Sequence, residues 1–185
     1  MIVEKIHFVV DDTKKAKSFK KNIYKKYKNY SPKICDVIVV LGGDGFMLQA
    51  LKKYHTFNKP FYGMNLGTFG FLMNKFKLKN LKKNISKSKP VLISPLLAKV
   101  KTKKNKIVKA VAINEVSLLR QSKQTSLLQI VNSKKMLIKK LVSDGVLIST
   151  PAGSTAYNLS VHGPILSINS KKIAVTPISP FRPRR

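Results

Sequence analysis

The run DVIVVL at residues 36–41 passes directly into Gly42-Gly43-Asp44-Gly45 and then into the helical stretch FMLQALKKYH. A β-branched apolar run of this kind favours a buried strand, and glycines at a strand-to-helix turn let the backbone approach a ligand closely. Amides at the start of the following helix present partial positive charge, which is what a phosphate needs. A carboxylate in such a loop repels phosphate unless it binds a metal or accepts a proton. The plain alternative makes Asp-Gly a turn and helix cap.

The neighbouring segments fit an α/β layer. KIHFVV at 5–10 reads as a buried strand, Asp11, Asp12 and Thr13 offer helix caps, and Ala16, Phe19, Ile23 and Tyr27 recur at helical spacing before Ser31 and Pro32. PFYGMN at 60–65 supplies a third strand, followed by Asn65-Leu66-Gly67-Thr68-Phe69-Gly70 and a short helix near 77–86. This second glycine loop also follows the carboxyl end of a strand, where open α/β sheets bind ligands, so the two loops are expected to face one crevice. The α/β domain is placed at residues 1–85.

Beyond residue 90 the pattern changes to strands: VLISPLLAKVKT, KIVKAVAINEVSLLR, SLLQIVNS, KMLIKKLV, GVLIST and KIAVTPI. Several alternate with period two, and NKI, NSKK and SDG read as hairpin turns. An all-β, sandwich-like domain is expected over residues 86–185.

Composition narrows the function. The 185 residues contain one cysteine, Cys35, which excludes an internal disulfide and a structural zinc site. No run of apolar residues is long enough for a membrane span and no cationic-then-apolar leader opens the chain, so a cytoplasmic protein is expected. Lys+Arg 37 against Asp+Glu 7 gives a net charge of +30, a field that ordinarily suggests nucleic acid. The bases are almost all lysine, with arginine only at Arg120, Arg182, Arg184 and Arg185, whereas groove readers and phosphate clamps favour arginine. The excess therefore reads as compositional drift, with no specific nucleic acid as partner. On that background carboxylates are informative, and after Asp36 only Asp44, Glu115 and Asp144 remain. All nine glycines fall within residues 42–70 or 145–163.

Asn114-Glu115 interrupts an apolar strand pattern. A charge there is costly to bury unless it is hydrogen-bonded, and a carboxylate accepting two bonds suits the vicinal hydroxyls of a ribose; a solvent-facing Glu is the alternative. Ser143-Asp144-Gly145 has a simple hairpin reading. TPAGSTAYNLS at 150–160 crowds small residues, hydroxyls, Tyr157 and Asn158 after a strand, as expected of a loop that wraps a polar planar ligand. His7, His55 and His162 show no ligand spacing and read as strand, helix-end and loop residues. No Ser-His-Asp or Cys-His arrangement is visible.

Taken in order, LGGDGFML, YGMNLGTFGFL, INEVSLL, SDGVLISTPAGSTAYNLSVHGPI and TPISPF resemble the NAD kinase family from about residue 37 onward. GGDG alone is shared with a wider group that includes phosphofructokinases and diacylglycerol or sphingosine kinases; the Asn-Glu pair and TPAGSTAYNLS discriminate. The resemblance implies an α/β domain followed by a β-sandwich, and a cytoplasmic homo-oligomer, dimer or tetramer. It implies phosphoryl transfer from ATP or another polyphosphate, with Mg2+ or another divalent cation, to the adenosine-ribose 2'-hydroxyl of NAD. It makes Asp44 the general base with Gly45 beside it, Asn114 and Glu115 the holders of NAD, and Asp144 a further contact. Ala152, Thr155, Ala156, Tyr157, Asn158 and Ser160 line the adenosine pocket; no side chain is assigned to a metal. Phe46 stands where the wider group often has Thr. Family members continue through further sandwich strands past the point where this sequence ends, so the β-domain is expected to be truncated. The alternatives are a catalytically impaired NAD-binding remnant and a lipid-type kinase sharing the GGDG loop.

Overall fold

The computed structural model describes residues 2–68 and 70–181. Phe69 of the second glycine loop and Arg182, Arg184 and Arg185 lie outside them. The chain forms two compact units, one ending at Pro90 and the other beginning at Val91.

The first unit is a four-stranded parallel sheet in the order β1 (Ile6–Val10), β2 (Val37–Gly42), β3 (Phe61–Asn65), β4 (Asn74–Lys75). Every residue of β2 is buried, which explains its unbroken apolar run. Alternation along the strand splits it between two cores. Val37, Val39 and Leu41 pack with α1 (Lys14–Lys26) through Ala16 and Ile23, and Phe19 and Tyr27 close against the same cluster. Ile38 and Val40 pack with Met47 and Ala50 of α2 (Asp44–Tyr54) on the opposite face.

The two helices lie on opposite faces because the chain changes direction. After α1 it forms an isolated parallel bridge, Asn29 to Ile6. Ile6 accepts a bond from Tyr30 on that edge of β1, whereas Lys5 accepts from Asp36 on the β2 edge. The chain then returns to β2 and continues through α2 to β3. The carboxyl ends of β1 and β2 therefore form a topological switch point, and the GGDG loop begins there. Thr13 is the cap chosen from the three candidates, accepting a bond from Ala16 N–H at 3.3 Å. Two features departed from the pattern. The two-residue strand β4 is too short to leave a periodic signal, and the third helix, α3 (Leu81–Lys87), begins later than expected, after Asn80 in the left-handed region.

The second unit is β-rich. Two hairpins, β5 (Leu96–Lys101) with β6 (Ile107–Ala112) and β8 (Ser126–Asn132) with β9 (Lys135–Ser143), accompany an antiparallel sheet of β11 (Ala174–Ile178), β10 (Gly145–Ser149) and β7 (Glu115–Leu119). The turns at NKI and NSKK form as expected, with Asn105 and Ser133 at positive φ. The turn expected at SDG does not. Asp144 alone joins β9 to β10, and the two strands belong to different sheets. Asp144 N–H donates to Ile178 and its carbonyl accepts from Arg120, so the backbone is already paired on both sides. Gly145 is needed for close approach, since a Cβ there would collide with the Leu118 carbonyl.

Asp36, set aside in the sequence, ties the start of β1 to that of β2. Its Oδ2 accepts the amides of Lys5 at 2.7 Å and Glu4 at 2.9 Å, and these bonds hold the carboxyl below its ordinary range. A lowered carboxyl contributes stability above its unfolded value of about 3.9 and loses it as pH falls through the folded value. Asp36→Asn is expected to melt below wild type at neutral pH, with the deficit closing towards about pH 2 in a calorimetric series; a deficit independent of pH would exclude the charged bonds as its source.

Candidate active site

In the first unit the site is built on the end of β2. Gly43 is the N-cap residue of α2, with extended backbone and no side-chain cap bond. A Cβ at Gly43 or Gly45 would meet nothing within 4 Å, so the helix N-terminus faces open space. At Gly42 the neighbour is Phe46, whose Cδ1 would lie 2.8 Å from a Cβ. The ring packs over the first glycine, which gives Phe46 a structural task where the wider group often carries a hydroxyl.

Asp44 opens α2 and reaches the second glycine loop. Its Oδ2 accepts the Phe71 amide at 2.7 Å and its Oδ1 the Leu72 amide at 3.0 Å. Leu66 N–H bonds the Gly42 carbonyl at 2.9 Å, and Asn65 Oδ1 accepts the Gly67 amide at 2.8 Å. The two loops therefore meet, as the pattern predicted, and Asp44 is what joins them. Each carboxylate oxygen keeps a further lone pair for a hydroxyl.

In the second unit Asn114 and Glu115 stand at a break between β6 and β7, not within one strand. The break has a definite cause. Thr150 donates its Oγ1–H to the Ile113 carbonyl at 2.7 Å and its N–H to the Asn114 carbonyl at 2.9 Å, carrying the β10–β7 register one residue further and turning the chain from its pairing with β5 to its pairing with β10. Thr150 Oγ1 also accepts the Gly153 amide at 3.0 Å, and a Cβ on Gly153 would collide with the Asn114 backbone. Glu115 pairs with Ser149 across the sheet. The Asn-Glu pair and the loop after β10 are thus assembled in one place.

The side chains of that pair are the unusual feature. Asn114 Oδ1 and Glu115 Oε2 are buried and accept no hydrogen bond among the described residues. Leaving a buried acceptor unpaired costs about 1–3 kcal/mol. Burial pushes the Glu115 carboxyl above its ordinary range.

The loop itself consists of a 3-10 turn at Ala152–Thr155 and the short helix α4 (Tyr157–Ser160). Ala152 is buried, Thr155 and Ala156 are half-buried, and Tyr157 and Ser160 are exposed. Asn158 is fully buried, with its carboxamide engaged inside the unit. It braces the loop from behind and lines no open surface. Asp144 is also set apart. It lies at the other end of β10 from Ser149, about 17 Å away along an extended strand, and its Oδ1 accepts from Arg120 Nε at 2.5 Å. Sequence reasoning missed Thr150 and Arg120. Thr150 carried only a general hydroxyl signal, and Arg120 could have been noticed as the one arginine outside the last residues of the chain.

A recess of about 960 Å3 runs along β9 between Leu137, Lys140 and Phe181 and contains none of these residues. Its open, acid-free lining offers no chemistry. Among the described residues there is also no group of three His, Cys, Asp or Glu that could hold a metal ion.

An open glycine loop on a parallel sheet, followed by a β-rich unit, is a fold that solved structures share. The chain resembles yeast NADH kinase complexed with NADH, with a TM-score of 0.73 and 24% identity, covering 100% of this chain and 68% of that one. It also resembles an NAD kinase from Archaeoglobus fulgidus in complex with ATP, with a TM-score of 0.69 and 20% identity over 98% and 75% of the two chains. The ATP-NAD kinase N-terminal domain matches residues 2–88 and the ATP-NAD kinase C-terminal domain residues 113–185, so the match begins well before the first motif at residue 37. NAD kinase of Brucella suis biovar 1 (strain 1330) is 48% identical over 180 residues, 97% of this chain and 70% of that protein. NAD kinase of Zymomonas mobilis subsp. mobilis is 46% identical over 187 residues, 100% and 72% of the two. The chain belongs to the NAD kinase family. These relatives support neither the lipid-kinase nor the impaired-remnant alternative.

The raised carboxyl of Glu115 gives a check that needs no ligand. Its ionisation costs nothing below the unfolded value of about 4.3 and costs most above the raised folded value. Glu115→Gln is expected to melt near wild type at acid pH and above it at neutral pH, measured between about pH 4 and pH 8. An equal difference at both ends would place the carboxylate in water.

Proposed function

We propose that this chain transfers a phosphoryl group from ATP or another polyphosphate to the adenosine-ribose 2'-hydroxyl of NAD, forming NADP. The observation that carries the reading is the pair of buried, unpartnered acceptors at Asn114 Oδ1 and Glu115 Oε2. Two unpartnered acceptors on consecutive residues call for a ligand rich in donors, and the vicinal hydroxyls of a ribose and the amide edges of NAD supply them. Family membership and the curated relatives named NAD kinase support the same substrate.

In this reading Asp44 takes the proton of the attacking hydroxyl on a lone pair left free by the Phe71 and Leu72 amides. A carboxylate within hydrogen-bond reach turns a poor nucleophile into a competent one. Gly43 and Gly45 leave the amides at the start of α2 open to phosphate oxygens, with Gly45 beside the reacting group. Asn114 and Glu115 hold NAD, and Ala152, Thr155, Ala156, Tyr157 and Ser160 line its adenosine. Asp144, at the far end of β10, is kept as a more distant contact.

A divalent cation, Mg2+ or another, bound with the donor supplies charge neutralisation for the phosphates. No helix among the described residues is long and apolar enough to cross a membrane, and a cytoplasmic location accords with that. A homo-oligomer is favoured by apolar side chains left exposed on the hairpins, among them Leu97 opposite Val111, and Leu127.

The test is a coupled assay of NADP formed from NAD, ATP and Mg2+. Asp44→Asn is expected to lower turnover by at least roughly 10²-fold while NAD binding stays within a few-fold. Turnover near wild type in the folded variant would remove Asp44 from the base role. Glu115→Ala is expected to weaken NAD binding by about 1.5–3 kcal/mol in titration calorimetry; unchanged affinity would remove it from recognition.

A further inference from the structure

The motif that points to NAD contains a residue that the ligand cannot reach. Asn158 has no exposed surface, and every polar atom of its carboxamide is committed. Nδ2 donates to the Pro164 carbonyl at 2.9 Å and to the Ser154 carbonyl at 3.3 Å. Oδ1 accepts from Thr176 Oγ1 at 2.7 Å. Thr176 is itself buried, at the centre of β11 opposite Leu147 of β10. The backbone joins in, since the Gly163 amide donates to the Asn158 carbonyl at 2.7 Å. A side chain on Gly163 would collide with the carboxamide, so the cavity around Asn158 is closed on that side as well.

Thr176 Oγ1 is therefore the side-chain link between the central sheet and the helix that carries Tyr157 and Ser160. Successive residues of a helix are about 100° apart, and in so short an element one buried side chain fixes how the others face. With Asn158 held inward, Tyr157, Leu159 and Ser160 are turned outward. The bond also has a direction that matters energetically. Removing the Thr176 hydroxyl leaves Oδ1 buried and unpaired, which is costlier than losing an exposed bond.

We infer that Thr176 and Asn158 are positioning residues for NAD: their buried hydrogen bond sets the rotation of α4 and so the placement of Tyr157 and Ser160 against the adenosine. The inference rests on the reading of Tyr157 and Ser160 as NAD contacts given above. It assigns Thr176, eighteen positions further along the chain and on another element, a task in substrate affinity. It also moves Asn158 from the pocket lining to the support behind it.

The experiment compares Thr176→Val, which keeps the shape and removes the donor, with Thr176→Ser, which keeps the donor. Two quantities are read on the whole chain: the Kd for NAD by titration calorimetry, beside the KM values for NAD and ATP, and amide hydrogen exchange across residues 152–166. The expected result for Thr176→Val is a Kd and KM for NAD raised roughly tenfold, with the KM for ATP and kcat within about twofold. Exchange quickens in 152–166 and stays unchanged in the β5–β6 hairpin, and Thr176→Ser restores both quantities. Unchanged exchange would overturn the lock, and quickened exchange with an unchanged NAD Kd would reduce it to a purely structural bond. Where Thr176→Val does not fold, Thr176→Cys, of similar size and a weaker donor, is expected to give an intermediate shift in both quantities; wild-type values there would overturn the proposal. A wild-type chain that binds NAD and forms no NADP would count against the kinase reading, while Kd and exchange would still decide the lock.

Discussion

Two consecutive amides gripping one carboxylate hold the first unit's functional surface together. Phe71 and Leu72 each give their N–H to a separate oxygen of Asp44, so the loop after β3 is pinned to the start of α2. Without that grip the two glycine loops would be joined by the Leu66-to-Gly42 backbone bond and lose the tie to Phe71 and Leu72. With it, the open helix N-terminus and the carboxylate share one rigid frame. The frame exists because β2 is buried on both faces and ends at the switch point of the sheet, where the connections after β1 and β2 leave towards opposite faces.

The second unit uses the opposite device. There the carbonyls of Ile113 and Asn114 are taken by Thr150, and the strand is cut so that two side chains can be left without partners. One unit thus presents an acid whose bonds are made and the other presents acceptors whose bonds are missing.

Much of this was legible in the sequence, for physical reasons that can be stated residue by residue. The unbroken run Val37–Gly42 could only be a strand buried on both faces, and the spacing of Ala16, Phe19 and Ile23 could only serve one side of a helix. The glycines of the first loop announced a backbone that must stay bare. What remained hidden depended on partners distant in the chain. KIVKAVAINEVSLLR reads as one strand because nothing local records that Thr150 will take two of its carbonyls. Asp144-Gly145 carries the local chemistry of a hairpin and is overruled by Leu118, against which only glycine fits. Asn158 looked like a ligand contact because an amide is equally suited to bind a base or a buried hydroxyl. Only its burial decides between them. The candidates that stood out in the sequence were those whose chemistry is odd for their surroundings, whereas Thr150 and Asn158 act within the fold by holding other groups.

The hairpins leave a colloidal consequence. Leu97, Val111 and Leu127 stand exposed on a chain that carries a net charge of +30. Two copies approaching through these faces feel a repulsion that reaches across the Debye length and an apolar attraction that acts only at contact. At millimolar ionic strength the charge sets the distance and the copies stay apart. Near physiological ionic strength, where the Debye length is about 8 Å, the repulsion is short enough for the apolar faces to decide. The lysine excess thus opposes the approach of two copies, and salt or polyanions weaken that opposition, so the ionic surroundings set how far these apolar faces are kept from one another.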